Sequence, residues 1–392
     1  MLSLHRRNFL KLSGLTVLPG IMPAQFFQAA RSNGFLPGEP VVKFFYDGDI
    51  LDPAGYLTEL QKILDRAAFK QDYYGQGGVV AALEKKFEEV TGKEKAIFMP
   101  SGTMANQLAI AVLSAEKTKV FVQDNSHVYR DEADAAQSVF QKRLMPLAKT
   151  GAYFTADQLQ KAVAALDSEE VFKSGIGAVS IENPVRRADG KMVPLEEIKA
   201  ISAWCRSQDI SLHLDGARIH MAAAWSGIPV KEYASHFDTV YISLYKYLGA
   251  SAGAILCGDK KVIDKMPHLI KIHGGNMFGN WLNAAMALDR LNNIDERLGQ
   301  AKQRAEILFA ALNKMTGLTV SHIPGGTNIY LFSIAREVDA RKLQQELNTR
   351  YNIRIAPPAN NQLRLTVNDT ILLRDTTYLV EAFRSSLRHA SS

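Results

Sequence analysis

Residues 210–257 read ISLHLDGARIHMAAAWSGIPVKEYASHFDTVYISLYKYLGASAGAILC. The run from Ile210 to Leu214 is built of β-formers and ends on Asp215-Gly216-Ala217-Arg218. A helical run follows. A second apolar run, Thr239 to Leu244, ends on Tyr245-Lys246-Tyr247, and a third, Ala252 to Cys257, comes directly after it. Short apolar runs of this length, punctuated by polar residues, predict buried parallel strands of an α/β sheet. In such sheets ligands bind beyond the carboxyl ends of the strands. Asp215 and Lys246 therefore fall at one prospective binding edge.

An acid at one strand end and a lysine after the next suit one chemistry. The lysine amine forms a Schiff base with pyridoxal phosphate (PLP). The carboxylate pairs with the pyridinium nitrogen and keeps it protonated, so the ring accepts electrons from a carbanion. Taken alone, Asp-Gly is equally a turn, and a lysine between tyrosines equally a surface residue.

Upstream, Ala96 to Met99 is a short strand that turns through Pro100-Ser101-Gly102-Thr103-Met104-Ala105-Asn106-Gln107 into a helix. Backbone amides at a helix start, with small hydroxyl residues and a glycine, form a phosphate site. A plain Ser N-cap has the same local signature. Lys119 to Gln123 is a strand that delivers His127 and Glu132, and Ile176 to Ile181 a buried strand that ends on Glu182-Asn183-Pro184. An imidazole at a sheet end can stack on a pyridine face and exchange a proton near neutral pH. His213 lies two residues before Asp215, hence on the same sheet face. It is read either as a satisfied core histidine or as a group near the ligand.

These segments, LHLDGARIHMAA, FDTVYISLYKYLGASAGAILCG and PSGTMANQ, resemble the threonine aldolase and β-eliminating lyase family of PLP enzymes. Its members carry an H-x-DGAR strand end, an S-K-G-L-G-A lysine segment and the same eight-residue P-S-G-T-M-A-N-Q turn. The resemblance is specific from about Tyr74 to Gly275 and looser to Arg364. It implies a fold-type-I, PLP-dependent transferase-like α/β fold: a mostly parallel doubly wound sheet and a smaller C-terminal α/β domain. It implies that Lys246 bears the cofactor, that Asp215 meets its ring nitrogen, and that Ser101, Gly102 and Thr103 take its phosphate. His127 would stack on the ring, and Glu182 would lie near the 3′ oxygen. Arg218 would sit by that oxygen or meet a substrate carboxylate, and Arg364 would grip the carboxylate, as guanidinium groups do in bidentate pairs. Arg364 also stands between two leucines on a strand, where its charge would face a buried setting without an anionic partner. The implied catalytic groups are Lys246, His127 and Asp215.

The implied reaction is cleavage of a β-hydroxy-α-amino acid such as threonine to glycine and an aldehyde. β-Elimination or racemisation of an amino acid is the rival, and an idle amino-acid-binding relative the third reading. The family also implies a homodimer or homotetramer. Departures from the family pattern are plain. Tyr245 and Tyr247 replace a serine and a glycine beside the lysine. Phe278 and Gly279 stand where an arginine and a glutamine occur. Gln76-Gly77-Gly78 replaces an x-D-P segment, and Val185-Arg186-Arg187 stands where T-x-N is common. Gly48-Asp49-Ile50 is the match to an S-D-T segment and lacks its hydroxyl.

The rest of the chain bounds these expectations. With 392 residues, 47% hydrophobic and 22% charged, it has the balance of a globular protein of more than one domain. The net charge of +6 is spread without a long basic block, which argues against nucleic-acid binding. Cys205 and Cys257 read as core residues, and no His/Cys cluster is spaced for a metal. Residues 1–31 contain Arg6-Arg7-Asn8-Phe9-Leu10-Lys11, a twin-arginine export pattern, before an apolar stretch too short to span a membrane. The expected division is an export segment over 1–31, an arm over 32–55, a large PLP-binding domain over 56–294 and a small domain over 295–392. The first helix is expected over 56–70, with Leu57, Leu60, Ile63, Leu64 and Ala67 on one face.

Overall fold

A computed structural model describes residues 39–391. The twin-arginine segment lies outside them. The arm opens with β1 (Val42–Lys43). Then come β2 (Lys95–Met99), β3 (Lys119–Gln123), β4 (Arg143–Leu147), β5 (Ile176–Glu182), β6 (Ser211–Asp215), β7 (Thr239–Ser243) and β8 (Ala254–Gly258). These seven form one sheet in the order β2-β8-β7-β6-β5-β3-β4. The order reverses between β3 and β5, so a crevice opens there at the carboxyl edge. Gln123, the last residue of β3, spans this point. Its side-chain amide donates to the Glu182 carbonyl at 2.9 Å and accepts from the Glu182 N–H at 2.8 Å.

The strands are continuous apolar runs because both faces are covered, and β3, β7 and β8 are buried at every position. The helix Gly102–Ser114 crosses one face and packs on β5, β6, β7 and β8. The run Ala252–Cys257 forms β8 as a strand, but it is antiparallel to both neighbours, β2 and β7. A parallel reading fails because the link from Ser243 to Ala254 carries no helix, and a parallel pair needs a crossover. The remaining pairs of the sheet are parallel.

A second sheet uses β9 (Leu318–His322), β10 (Ile329–Ile334) and β12 (Gln362–Thr366), all antiparallel, in the order β12-β10-β9. The helices Ile294–Leu312 and Thr376–Ala390 pack together beside it. The arm belongs to this part of the molecule. Its β1 pairs in parallel with β11 (Ile353–Arg354). The Asn368 side chain donates to the carbonyls of Lys43, Phe45 and Tyr46 at 2.9, 3.2 and 3.2 Å.

The first helix differs from expectation. It spans Pro53–Arg66, capped by the Asp52 carboxylate on Gly55 N–H, and buries Leu60 and Ile63. Leu57 is 65% and Leu64 45% exposed, and Ala67 is the extended C-cap. Leu57 and Leu64 share a stripe seven residues apart, and that stripe faces out. The run over 259–271 is two short helices, Lys260–Ile263 and Met266–Ile272, the second opening with proline in its first turn, where no amide is needed. Cys205 and Cys257 are both free and buried, and burial pushes each thiol up to about 12.

Candidate active site

The carboxyl edge gathers Asp215 and Glu182 at the last positions of β6 and β5, His127 after β3, and Lys246 after β7. The site is organised by one amide. Asn106, one turn into the helix that follows Ser101, is fully buried. Its Nδ2 donates to Glu132 Oε1 at 2.8 Å and to Asp215 Oδ2 at 3.0 Å, and its Oδ1 meets His213 Nε2 at 2.9 Å. The other His213 nitrogen meets Thr239 Oγ1 at 2.8 Å. His213 is thus a satisfied core histidine that orients the site from beneath. Burial, only partly opposed by Asp215, pushes it down to about 4, so it stays neutral. Asp215 Oδ1 accepts from the Ala217 N–H at 3.2 Å, which leaves the carboxylate buried and held.

His127 Nδ1 lies 3.0 Å from Glu132 Oε1. Burial works against the imidazolium. The hydrogen bond to Glu132 and the charges of Asp215, Glu132 and Glu182 outweigh it and raise the pKa. Burial first, and then Asp215, raises Glu132 as well. The close approach of His127, Glu132 and Asp215, whose polar atoms lie within 4.8 Å of one another, follows from these shared bonds. The Glu182 carboxylate accepts the backbone N–H of His127 at 2.7 Å and of Arg186 at 2.8 Å. Burial and the neighbouring Asp215 push it up to about 7.

The Lys246 amine makes no hydrogen bond or ion pair with the described residues, and its Nζ lies 5.0 Å from the centre of the Tyr245 ring. Burial, and next the Arg218 charge, lower it to about 8 despite Asp47, Asp215 and Glu182. An amine near neutrality is a nucleophile, as a Schiff-base lysine requires. The two tyrosines around it take different places. Tyr245 is exposed, whereas Tyr247 is buried and donates its hydroxyl to the Ala217 carbonyl at 3.1 Å. Tyr247 in the family's glycine position therefore ties the lysine loop to the turn after Asp215.

Ser101 caps its helix, its Oγ accepting from the Met104 N–H at 3.2 Å, so the amides of Gly102 and Thr103 head the 13-residue helix. A side chain at Gly102 would overlap the Tyr241 hydroxyl, so only glycine lets strand and helix start approach this closely. An amine without a partner, a held carboxylate, an imidazole and a helix start at one sheet edge fit PLP in chemistry and in order.

Arg218 and Arg364 depart from expectation. Arg218 Nε and Nη2 donate to Asp47 Oδ1 and Oδ2 at 2.6 and 2.9 Å. Asp47 was missed in the sequence, where the S-D-T match was set at Gly48-Asp49-Ile50. Asp49 instead pairs with Lys43 at 2.7 Å. Arg364 is not in a buried setting. Strand alternation points Leu363 and Leu365 inward and turns Arg364, 47% exposed, outward. Its Nε and Nη2 donate to Asp189 Oδ1 and Oδ2 at 3.2 and 3.1 Å. Arg187 pairs with Asp131, and Arg186 lies 3.8 Å from the same carboxylate. Phe278 is 63% exposed and meets Tyr73 and Tyr74 edge-on at 5.7 and 5.3 Å.

A doubly wound, mostly parallel sheet with a lysine and an aspartate at its carboxyl edge defines the fold-type-I class of α/β enzymes. The model of the family described as β-eliminating lyase matches residues 58–335, and the chain belongs to that family. It is 32% identical to a low-specificity L-threonine aldolase of Candida albicans, over 74% of this chain and 77% of that one. It is also 32% identical to an alanine racemase of Cochliobolus carbonum, over 60% and 59%. Among solved structures, a Listeria monocytogenes protein provisionally assigned as an L-allo-threonine aldolase superposes with a TM-score of 0.73 at 25% identity. That match covers 90% of this chain and 97% of the other.

Proposed function

We propose that this chain is a PLP-dependent carbon–carbon lyase that cleaves a β-hydroxy-α-amino acid of the threonine type into glycine and an aldehyde. The observation that carries this reading is the Lys246 amine, unbonded and near neutrality, at the same edge as the held Asp215 carboxylate. When bound, PLP supplies a sink for the electron pair left when the Cα–Cβ bond breaks. Lys246 would hold the cofactor, the helix start at Ser101, Gly102 and Thr103 would take its phosphate, and Asp215 would keep its ring nitrogen protonated. His127 and Glu182 would complete its binding site. Arg364 and the remaining edge of Arg218 orient the substrate carboxylate. His127 bonds Glu132 through Nδ1, which leaves Nε2 to take the proton from the β-hydroxyl, and Glu132 balances the imidazolium that forms.

Amino acid is the partner this site suits. Among the described residues no helix is long and apolar enough to cross a membrane. The exposed Tyr73, Tyr74, Met277 and Phe278, together with the outward Leu57 and Leu64, support a homodimer or homotetramer. The twin-arginine pattern supports export to the periplasm.

The test is an absorbance spectrum of the purified protein with PLP, before and after threonine or phenylserine, beside Lys246→Ala. A visible band lost in the variant, with glycine and aldehyde released by the wild type, is the expected result. No band with the wild type overturns the reading. Racemisation is the second reading, favoured by the alanine racemase relative and by the tyrosine beside Lys246. D-alanine formed from L-alanine, without aldehyde from threonine, would select it.

A further inference from the structure

The bond between Asp47 and Arg218 joins two parts of the chain 171 residues apart. It is bidentate and side-on: Nε and Nη2 are engaged, and the Nη1 edge is left over. Both side chains are well covered, at 16% and 26% exposure. A covered guanidinium without a fixed partner would sample several rotamers. The carboxylate is ionised here. Burial opposes the charge, but the charge and hydrogen bonds of Arg218 outweigh it, with help from Lys246 and Arg186.

The arm that carries Asp47 is fixed from the small-sheet side. Besides the β1–β11 pair and the three carbonyls held by Asn368, the Thr366 N–H donates to Phe44 O at 2.9 Å. Tyr46, the last residue so gripped, immediately precedes Asp47. Gly48, immediately after, lies flat on the lysine loop. A Cβ there would fall 2.9 Å from Lys246 O and 3.0 Å from Tyr247 Cα. The arm therefore passes over the lysine loop with its carboxylate turned to Arg218.

We propose that Asp47 is a positioning residue: it clamps Arg218 side-on, presents the free guanidinium edge to an incoming carboxylate, and balances the positive charge beside Lys246. The inference rests on the proposed function only for the identity of that carboxylate. The charge balance is independent of it. The groups that act on the Lys246 amine are Arg218, which disfavours its protonation, and Asp47, Asp215 and Glu182, which favour it, with the Tyr245 ring alongside. Removing the Asp47 charge leaves Arg218 unopposed and lowers the pH at which the amine becomes reactive.

The test uses Asp47→Asn, Asp47→Glu and Asn368→Ala. In the holoenzyme, Asp47→Asn raises KM for phenylserine about tenfold, the scale of one charge-assisted hydrogen bond, with a smaller change in kcat. Asp47→Glu restores most of it. Without cofactor, the pH profile of Lys246 acetylation by acetic anhydride, read by peptide mass spectrometry, moves to lower pH in Asp47→Asn. Asn368→Ala moves it the same way by less. A wild-type acetylation profile in a folded Asp47→Asn protein overturns the proposal whatever KM does. If the wild type cleaves no amino acid, the proposed function fails, and the acetylation profile alone decides the role of Asp47.

Discussion

The two halves of the site are built differently. The inner half stands on the large sheet: Asp215, His127 and Glu132, drawn together by Asn106 and His213 in a buried network of hydrogen bonds, with the unbonded Lys246 at the same edge. The outer half comes from loops, the arm and the small sheet. Each of its cations meets a carboxylate of the chain itself: Arg218 with Asp47, Arg364 with Asp189, Arg187 with Asp131. The inner half spends no amine on itself, since Lys246 stays unbonded, and is ready for a cofactor. In the outer half these guanidinium groups already have internal carboxylates, so a substrate carboxylate must share or displace one. On the proposed reading, the hydrogen-bonded interior carries the chemistry and the ion-paired rim the recognition.

Substitutions should separate the halves. The largest effect belongs to Lys246→Ala, expected to lower kcat by roughly 10³-fold or more, as loss of a covalent catalytic group does. Glycine release under saturating substrate measures it. Substantial turnover in the variant would break the inner half as drawn. Asn106→Ala leaves Glu132, Asp215 and His213 each short of a bond, at about 1–3 kcal/mol per buried group. Urea unfolding should show a loss of about 2–4 kcal/mol. A loss under about 0.5 kcal/mol would mean the network is not cooperative. Arg364→Gln should do the reverse: KM up by about tenfold, with stability changed by less than about 1 kcal/mol, because its pair with Asp189 is exposed. A stability loss as large as that of Asn106→Ala would erase the distinction.

The smallest effect concerns pH. Glu132 raises the pKa of His127, so the acid limb of kcat/KM, where His127 must lose its proton to act as base, lies above that of an ordinary histidine. Glu132→Gln removes that support, and the limb should move to lower pH. A limb that stays in place assigns the base to another group.

The inner half was largely legible in the sequence, because its residues lie at or after the ends of apolar runs, and strand ends converge at one edge. That rule put Asp215, Glu182 and Lys246 at the edge, and the family resemblance supplied their roles. Asn106 was visible within PSGTMANQ but was read as part of a phosphate turn. Helical pitch turns it from the helix start toward the sheet, which no pattern along the chain reveals. The reversed sense of β8 was illegible for another reason: apolarity does not encode direction, and only the missing crossover helix hinted at it. Arg364 was misread although the signal was present. Leucines on both sides of a strand residue mean that it faces the other way. Asp47 was beyond reach, since its partner Arg218 lies 171 residues away and two other acids, Asp49 and Asp52, stand close by in the same segment.

The grip of Asn368 and Thr370 on the arm also sets a clock. Lys43 N–H donates to Thr370 Oγ1 across 327 residues, so the first described strand waits for a segment synthesised 327 residues later. At about 5–20 residues per second, the arm emerges from the ribosome roughly half a minute before anything exists to hold it. Until then Asp47 has no fixed place, and Arg218 and the lysine loop lack their cover. Completion of the pocket thereby follows the synthesis of the segment around Asn368 and Thr370.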